Sequence, residues 1–68
     1  MSHIIVRQDD NGYFASIVPG KPLPKLFQQP GVVFATDSRP GEDDEHLLMR
    51  TRAEAERRGV GPVKYLND

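Results

Sequence analysis

The sequence contains no cysteine, so it forms neither a disulfide bond nor a cysteine-based zinc site. Its 68 residues predict one domain, residues 1–68, and aromatic side chains are few, with three phenylalanines and two tyrosines. A core of this size contributes little net stability unless it packs closely or a second chain adds to it. We therefore expect a homodimer.

Long apolar segments are also missing. No run of residues reaches the length that crosses a membrane, and the first residues lack the apolar region of a signal peptide. We therefore expect a cytoplasmic protein that makes no membrane contact. The general style of the sequence adds the expectation of a bacterial or phage origin. Nine basic and ten acidic residues give a formal net charge of -1, which implies no overall attraction to nucleic acid.

Catalytic motifs are missing as well. None of Ser2, Ser16 and Ser38 lies in a G-x-S-x-G context. The glycines of residues 59–61 follow a predicted helix, whereas a phosphate-binding loop precedes one. We expect a non-enzymatic protein without a cofactor, and a small enzyme is the minor alternative.

The clearest feature that is present is a β-hairpin over residues 4–19. Residues 4–8 and 13–19 are rich in strand-forming side chains, and Asn11-Gly12 lies between them. Asn-Gly between two such runs is the strongest short-range hairpin signal, because both residues tolerate a positive φ.

Strand alternation divides the hairpin side chains between two faces. The more continuously apolar face is the predicted core, and it holds Ile4, Val6, Gln8, Tyr13, Ala15 and Ile17. The other face holds Ile5, Phe14 and Val18. Either a partner chain or the loop that follows covers these three side chains.

A long loop and two further strands are predicted beyond the hairpin. Residues 19–31 contain four prolines and two glycines and predict a loop, with one short helical turn as an alternative. Its apolar residues Leu23, Leu26 and Phe27 either tuck against the sheet or meet a partner. Residues 32–36 and 63–66 predict the third and fourth strands.

Residues 42–58 predict a helix. Its first turn is acidic, its last contains Arg57 and Arg58, and Gly59 follows where a glycine commonly ends a helix. The apolar stripe at helical spacing consists of Leu47, Leu48, Thr51 and Ala55. Leu48→Asp should therefore unfold the domain by burying an unpaired charge. The predicted fold class is α+β, a small, mainly antiparallel sheet in β-β-β-α-β order with one helix packed on one face.

Two polar clusters raise the question of a metal site. Residues 9–12 are rich in oxygen ligands but lack the alternate spacing of a calcium loop. Glu42 and Asp43 lie four and three residues before His46, and His3 is the only other histidine. Turn chemistry and helix-start electrostatics explain both clusters, and we expect no metal ion.

Four arginines near the helix end indicate a second kind of partner. Nucleic-acid binding is the alternative function, because arginine side chains bind phosphate groups. The candidate residues are Arg50, Arg52, Arg57 and Arg58. Glu54 and Glu56 are interleaved with them and allow i,i+3 and i,i+4 ion pairs. A solvated face of paired charges is the favoured interpretation.

The hairpin resembles the opening of the HicB antitoxin family. Residues 6–19 (VRQDDNGYFASIVP) show the family's acidic-glycine turn, its aromatic residue and its strand ending in proline. Residues 34–38 (FATDS), which precede an acidic helix start, are loosely similar to its third strand. The order of elements is similar to the family's partial RNase H-like domain. The resemblance implies a module that binds a toxin and is not an enzyme.

We therefore expect a non-enzymatic interaction module, antitoxin-like or inhibitor-like, with a protein partner. The candidate partner-binding residues are Ile5, Phe14, Val18, Leu23, Leu26 and Phe27.

Overall fold

The computed structural model describes residues 1–21 and 23–66, without the side chains of Leu26 and Phe27. The predicted α+β class and the β-β-β-α-β order are confirmed, with one added helical turn inside the predicted loop. The elements are β1 (Ser2–Asp9), β2 (Gly12–Pro19), α1 (Pro24–Phe27), β3 (Val32–Asp37), α2 (Asp44–Arg58) and β4 (Val63–Leu66). The strand order is β3-β1-β2-β4, so β3 and β4 are the sheet's two edges.

The hairpin of β1 and β2 divides its side chains between two faces as predicted, and its register places Ile4 opposite Ile17. Its turn differs from the expected one, because only Gly12 has a positive φ, at 122°. Asn11 keeps a negative φ and donates its backbone N–H to Asp9 Oδ1 at 2.7 Å. The side chain of Asp9 therefore stabilises the reversal, and the glycine alone supplies the unusual backbone angle.

The connections between strands cross the sheet on opposite faces. β1 runs antiparallel to β2 and to β3, and β4 runs parallel to β2. Hence β2, β3 and β4 share one direction, and each connection among them is a crossover. One crossover runs from β2 to β3 and the next runs back from β3 to β4. Because crossovers are almost always right-handed, α2 lies on one face of the sheet, and residues 20–21 and 23–31 lie on the other.

Helix α2 covers the predicted core face. It begins after Asp43, whose side chain accepts the backbone N–H of His46, and it ends at Gly59 with φ 70°. The predicted start at residue 42 is therefore two residues early. The predicted packing of helix on hairpin is confirmed. The core cluster comprises Ile4, Val6, Ala15, Phe34, Leu47 and Ala55, with Ile17 and Leu48 partly buried against it.

The opposite face of the hairpin lies under residues 20–21 and 23–31. His3 and Ile5 are buried there. The Arg7 guanidinium donates to Gln29 Oε1 at 2.9 Å, and His3 Nδ1 lies 3.4 Å from the carbonyl oxygen of Gly20. These two contacts tie both ends of the segment to side chains of this face. The chain's own loop therefore runs over the face on which Ile5 is buried.

The assignment of the helix face is testable by substitution in α2. Leu47 is fully buried, so Leu47→Ala should lower the free energy of unfolding by about 2–5 kcal/mol. Met49 is exposed on the other side of α2, so Met49→Ala should change it by less than about 0.5 kcal/mol. Urea denaturation measures both values.

A second pair of substitutions compares how deeply Leu47 and Leu48 are buried in the apolar stripe of α2. Leu48 is only partly buried, so Leu48→Asp should destabilise the protein less than Leu47→Asp. Equal losses for the two aspartates, or a large loss for Met49→Ala, would show that α2 packs through another face.

Candidate functional site

The two sheet edges differ in how well they are protected. Edge strands expose unpaired N–H and C=O groups on which another strand can pair. β4 has only four residues and carries the exposed Lys64, and both features discourage pairing. β3 has six residues, mostly apolar, with no lysine. The edge of β3 is therefore the better candidate for strand pairing.

The register identifies which backbone groups of β3 face outward. The N–H of Ser38 donates to the carbonyl oxygen of Ser2 at 3.0 Å, which makes that pair a hydrogen-bonded one. Hydrogen-bonded pairs alternate along an antiparallel ladder, so Thr36 also bonds to β1. The N–H and C=O groups of Ala35 and Asp37 consequently point away from β1, toward the open edge.

A groove runs between this open edge and helix α2, with a volume of about 550 Å³. We call it the β3 groove. The groove has a high content of arginine. Its lining residues are Ala35, Thr36, Asp37, Arg39, Arg50, Ala53, Glu54, Arg57 and Arg58.

Glu42 fixes one end of the β3 groove. Its carboxylate, only 4% exposed, accepts hydrogen bonds from Arg50 at 2.6 and 2.7 Å and from the backbone N–H of Arg39 at 3.0 Å. The Arg50 hydrogen bonds are the main reason why the pKa of Glu42 lies well below its usual value. Arg50 also donates to the outward carbonyl oxygen of Asp37 at 2.6 Å. Arg50 is thus neutralised, and it joins α2 to the end of β3.

Glu54 organises the other end of the β3 groove. Arg57 and Arg58 both donate to its carboxylate, at 2.5 and 2.7 Å, which confirms the expected i,i+3 and i,i+4 pairs. These bonds, chiefly that of Arg57, lower the pKa of Glu54. The Arg58 guanidinium also lies 4.8 Å from the ring centroid of Phe34. One carboxylate therefore serves two guanidinium groups, and positive charge remains in excess.

The predicted arginine cluster is divided by the fold. Arg50, Arg57 and Arg58 line the β3 groove, whereas Arg52 lies 4.9 Å over the ring of Tyr65 in β4. Arg39 joins the groove although it was not predicted. Sequence spacing carries no signal for Arg39, because it reaches the site only through a loop that the Glu42 hydrogen bonds hold in place.

The residues predicted to bind a protein partner are dispersed. Ile5 is 2% exposed within the chain, so a partner has no access to it in this structure. Phe14 and Val18 are partly buried, and Leu23 is 62% exposed. The side chains of Leu26 and Phe27 lie outside the described residues. The four members that are described do not form one exposed apolar patch.

The polar clusters considered for metal binding have other partners. Asp43 caps α2, and Glu42 holds Arg50. Within residues 1–21 and 23–66, no group of three or more candidate ligands could hold a metal ion.

The described part of the chain has no helix with the length and apolarity that crossing a bilayer requires.

No family model matches the chain, and comparison with curated proteins and with solved structures gives no match either. The similarity to HicB antitoxins therefore rests on the quoted residues and on the order of elements.

The role of Glu42 predicts a specific pH dependence. Because its pKa is lower in the folded chain than the usual 4.5, its contribution to stability is present above that pH and is lost as the pH falls below it. Glu42→Gln should lower the melting temperature near neutral pH, and the difference from the unsubstituted protein should shrink in acid. Melting curves across a pH series measure this difference.

Glu45→Gln is the matched control, because it removes one carboxylate from an exposed position in the first turn of α2. It should lower the melting temperature only slightly. A Glu42→Gln deficit that stays constant from neutral pH into acid would contradict the role assigned to this carboxylate.

Proposed function

We propose that this chain is a non-enzymatic protein-interaction module, antitoxin-like or inhibitor-like, whose partner adds a strand to the open edge of β3. One observation carries the proposal, namely the outward N–H and C=O groups of Ala35 on a six-residue edge strand. Strand addition takes its affinity from such main-chain groups and its specificity from neighbouring side chains. The arginines of the β3 groove are those neighbours.

The state of the carboxylates supports binding rather than catalysis. Glu42 and Glu54 are both held by arginines, and their pKa values are lowered. A general acid or base works best with a pKa near the operating pH, and these shifts move both groups away from it. The carboxylates therefore serve to position arginines.

Two other partners are less well supported. Nucleic acid would supply negative charge to the arginines but has no backbone N–H and C=O groups that could pair with Ala35 in strand geometry. A homodimer through β3, the assembly expected from chain length, would bring two arginine-lined grooves together across the two-fold axis, where like charges repel. A different protein is therefore the preferred partner, and the HicB resemblance implies that it is a toxin.

Substitution of Ala35 by proline tests the proposal. Proline removes an outward N–H but no ladder hydrogen bond, and edge strands tolerate it at such positions. Unsubstituted protein and Ala35→Pro are used side by side to capture proteins from a lysate of the native host. We expect a protein that the unsubstituted chain retains and that Ala35→Pro fails to retain.

Two control measurements accompany the capture. The melting temperature of Ala35→Pro should remain close to that of the unsubstituted protein. Light scattering over a dilution series tests for the homodimer, and a dimer that Ala35→Pro dissociates would make a second copy the partner. Equal capture by the two proteins would exclude the β3 edge, and a captured nucleic acid in place of a protein would indicate phosphate contacts.

A further inference from the structure

The charges of the β3 groove do not balance. Arg50 is matched by Glu42, whereas Arg57 and Arg58 share the single carboxylate of Glu54. No hydrogen bond or ion pair engages the Arg39 guanidinium among the described residues. Even with the Asp37 carboxylate counted, the groove keeps a net positive charge on a chain whose formal net charge is -1.

Arginines of the β3 groove lie beside the strand edge at two points. Arg58 lies against Phe34 near the start of β3, and Arg50 and Arg39 lie at its end, near Asp37. Asp37 lies three positions after Phe34 along the strand, a length of roughly 10 Å. Side chains at alternate positions of an added strand would point toward α2 within this span.

We infer that the segment added to β3 is extended and acidic, with Asp or Glu at alternate positions facing the β3 groove. This inference rests on the proposed function, because strand pairing at Ala35 brings the carboxylates to the arginines. Guanidinium groups bind carboxylates through paired, charge-assisted hydrogen bonds, which suits Arg57, whose side chain is 75% exposed. The partner is thus a protein with an acidic strand or tail.

Charge also distinguishes an acidic polypeptide from the two other candidate partners, a second copy of the chain and a nucleic acid. A second copy would present arginines to arginines. A nucleic acid would supply negative charge but no backbone N–H and C=O groups in strand geometry for Ala35. Only an acidic polypeptide uses both the open edge and the excess positive charge.

Selection from a library tests the inference. Random peptides about as long as the six-residue β3 are displayed on phage and selected on four proteins. The four are the unsubstituted chain, Ala35→Pro, Arg57→Gln and Arg52→Gln. Arg57→Gln leaves Glu54 with Arg58 alone and so removes the excess charge at that end of the groove. Arg52→Gln is the matched control, because it makes the same charge change on the same helix but outside the groove.

We expect peptides with Asp or Glu at alternate positions from the unsubstituted chain and from Arg52→Gln. Their affinity should fall about ten-fold for Arg57→Gln, equal to about 1.4 kcal/mol, and be lost for Ala35→Pro. Peptides that depend on Ala35 but show no acidic excess would overturn the acidic partner and leave the edge proposal standing. An equal loss of peptide affinity for Arg52→Gln and Arg57→Gln would also overturn the acidic partner and leave the edge proposal standing.

A different set of results would show that the partner does not bind the open edge of β3. If no selected peptide loses affinity for Ala35→Pro, the proposed function is wrong. Single-stranded DNA that binds the chain and displaces the peptides in an Arg57-dependent manner would make the groove a nucleic-acid site. Amide chemical shifts of the unsubstituted protein give a check that needs no variant. The selected peptide should shift Ala35 most, and shifts centred on β4 would overturn the inference.

Discussion

Strand β1 is paired along both of its edges, and its residues 3–6 are buried on both faces of the sheet, with the other elements arranged around them. Its antiparallel pairing with both neighbours gives β2 and β3 the same direction, so the chain must cross β1 to go from one to the other. The return crossing through α2 then falls on the opposite face. Both faces of β1 are covered, and the sheet ends in two open edges.

The open edge of β3 is short and well defined. Val33 is an extra residue between the positions that pair with β1, and such a bulge twists an edge strand away from regular pairing. At the other end, Arg50 occupies the outward carbonyl group of Asp37. The free backbone groups are therefore concentrated at Ala35. This arrangement limits indiscriminate strand pairing and favours a partner whose side chains suit the neighbouring arginines.

Local patterns predicted the elements of this fold and the packing of the helix on the hairpin, but not the way the strands join into one sheet. The hairpin, the third and fourth strands and the buried stripe of α2 follow from alternation, helical spacing and glycine positions. The parallel pairing of β4 with β2 was not predicted, because it joins segments about fifty residues apart. Likewise, the i,i+4 spacing of Glu42 and His46 was noticed, but the main partner of Glu42 is Arg50, eight residues along the chain. The β3 groove depends on that long-range contact.

Hydrogen exchange of the β3 amides tests most directly whether this edge is open and binds a partner. The account predicts that Phe34 and Thr36 are protected in the isolated protein, that Ala35 exchanges rapidly, and that Ala35 alone of the three gains strong protection when the captured partner is added. Protection of Ala35 at every dilution of the isolated protein would contradict the account, because its N–H would then already be bonded within the chain. Rapid exchange of Ala35 in the complex would contradict it equally, because the partner would then bind elsewhere.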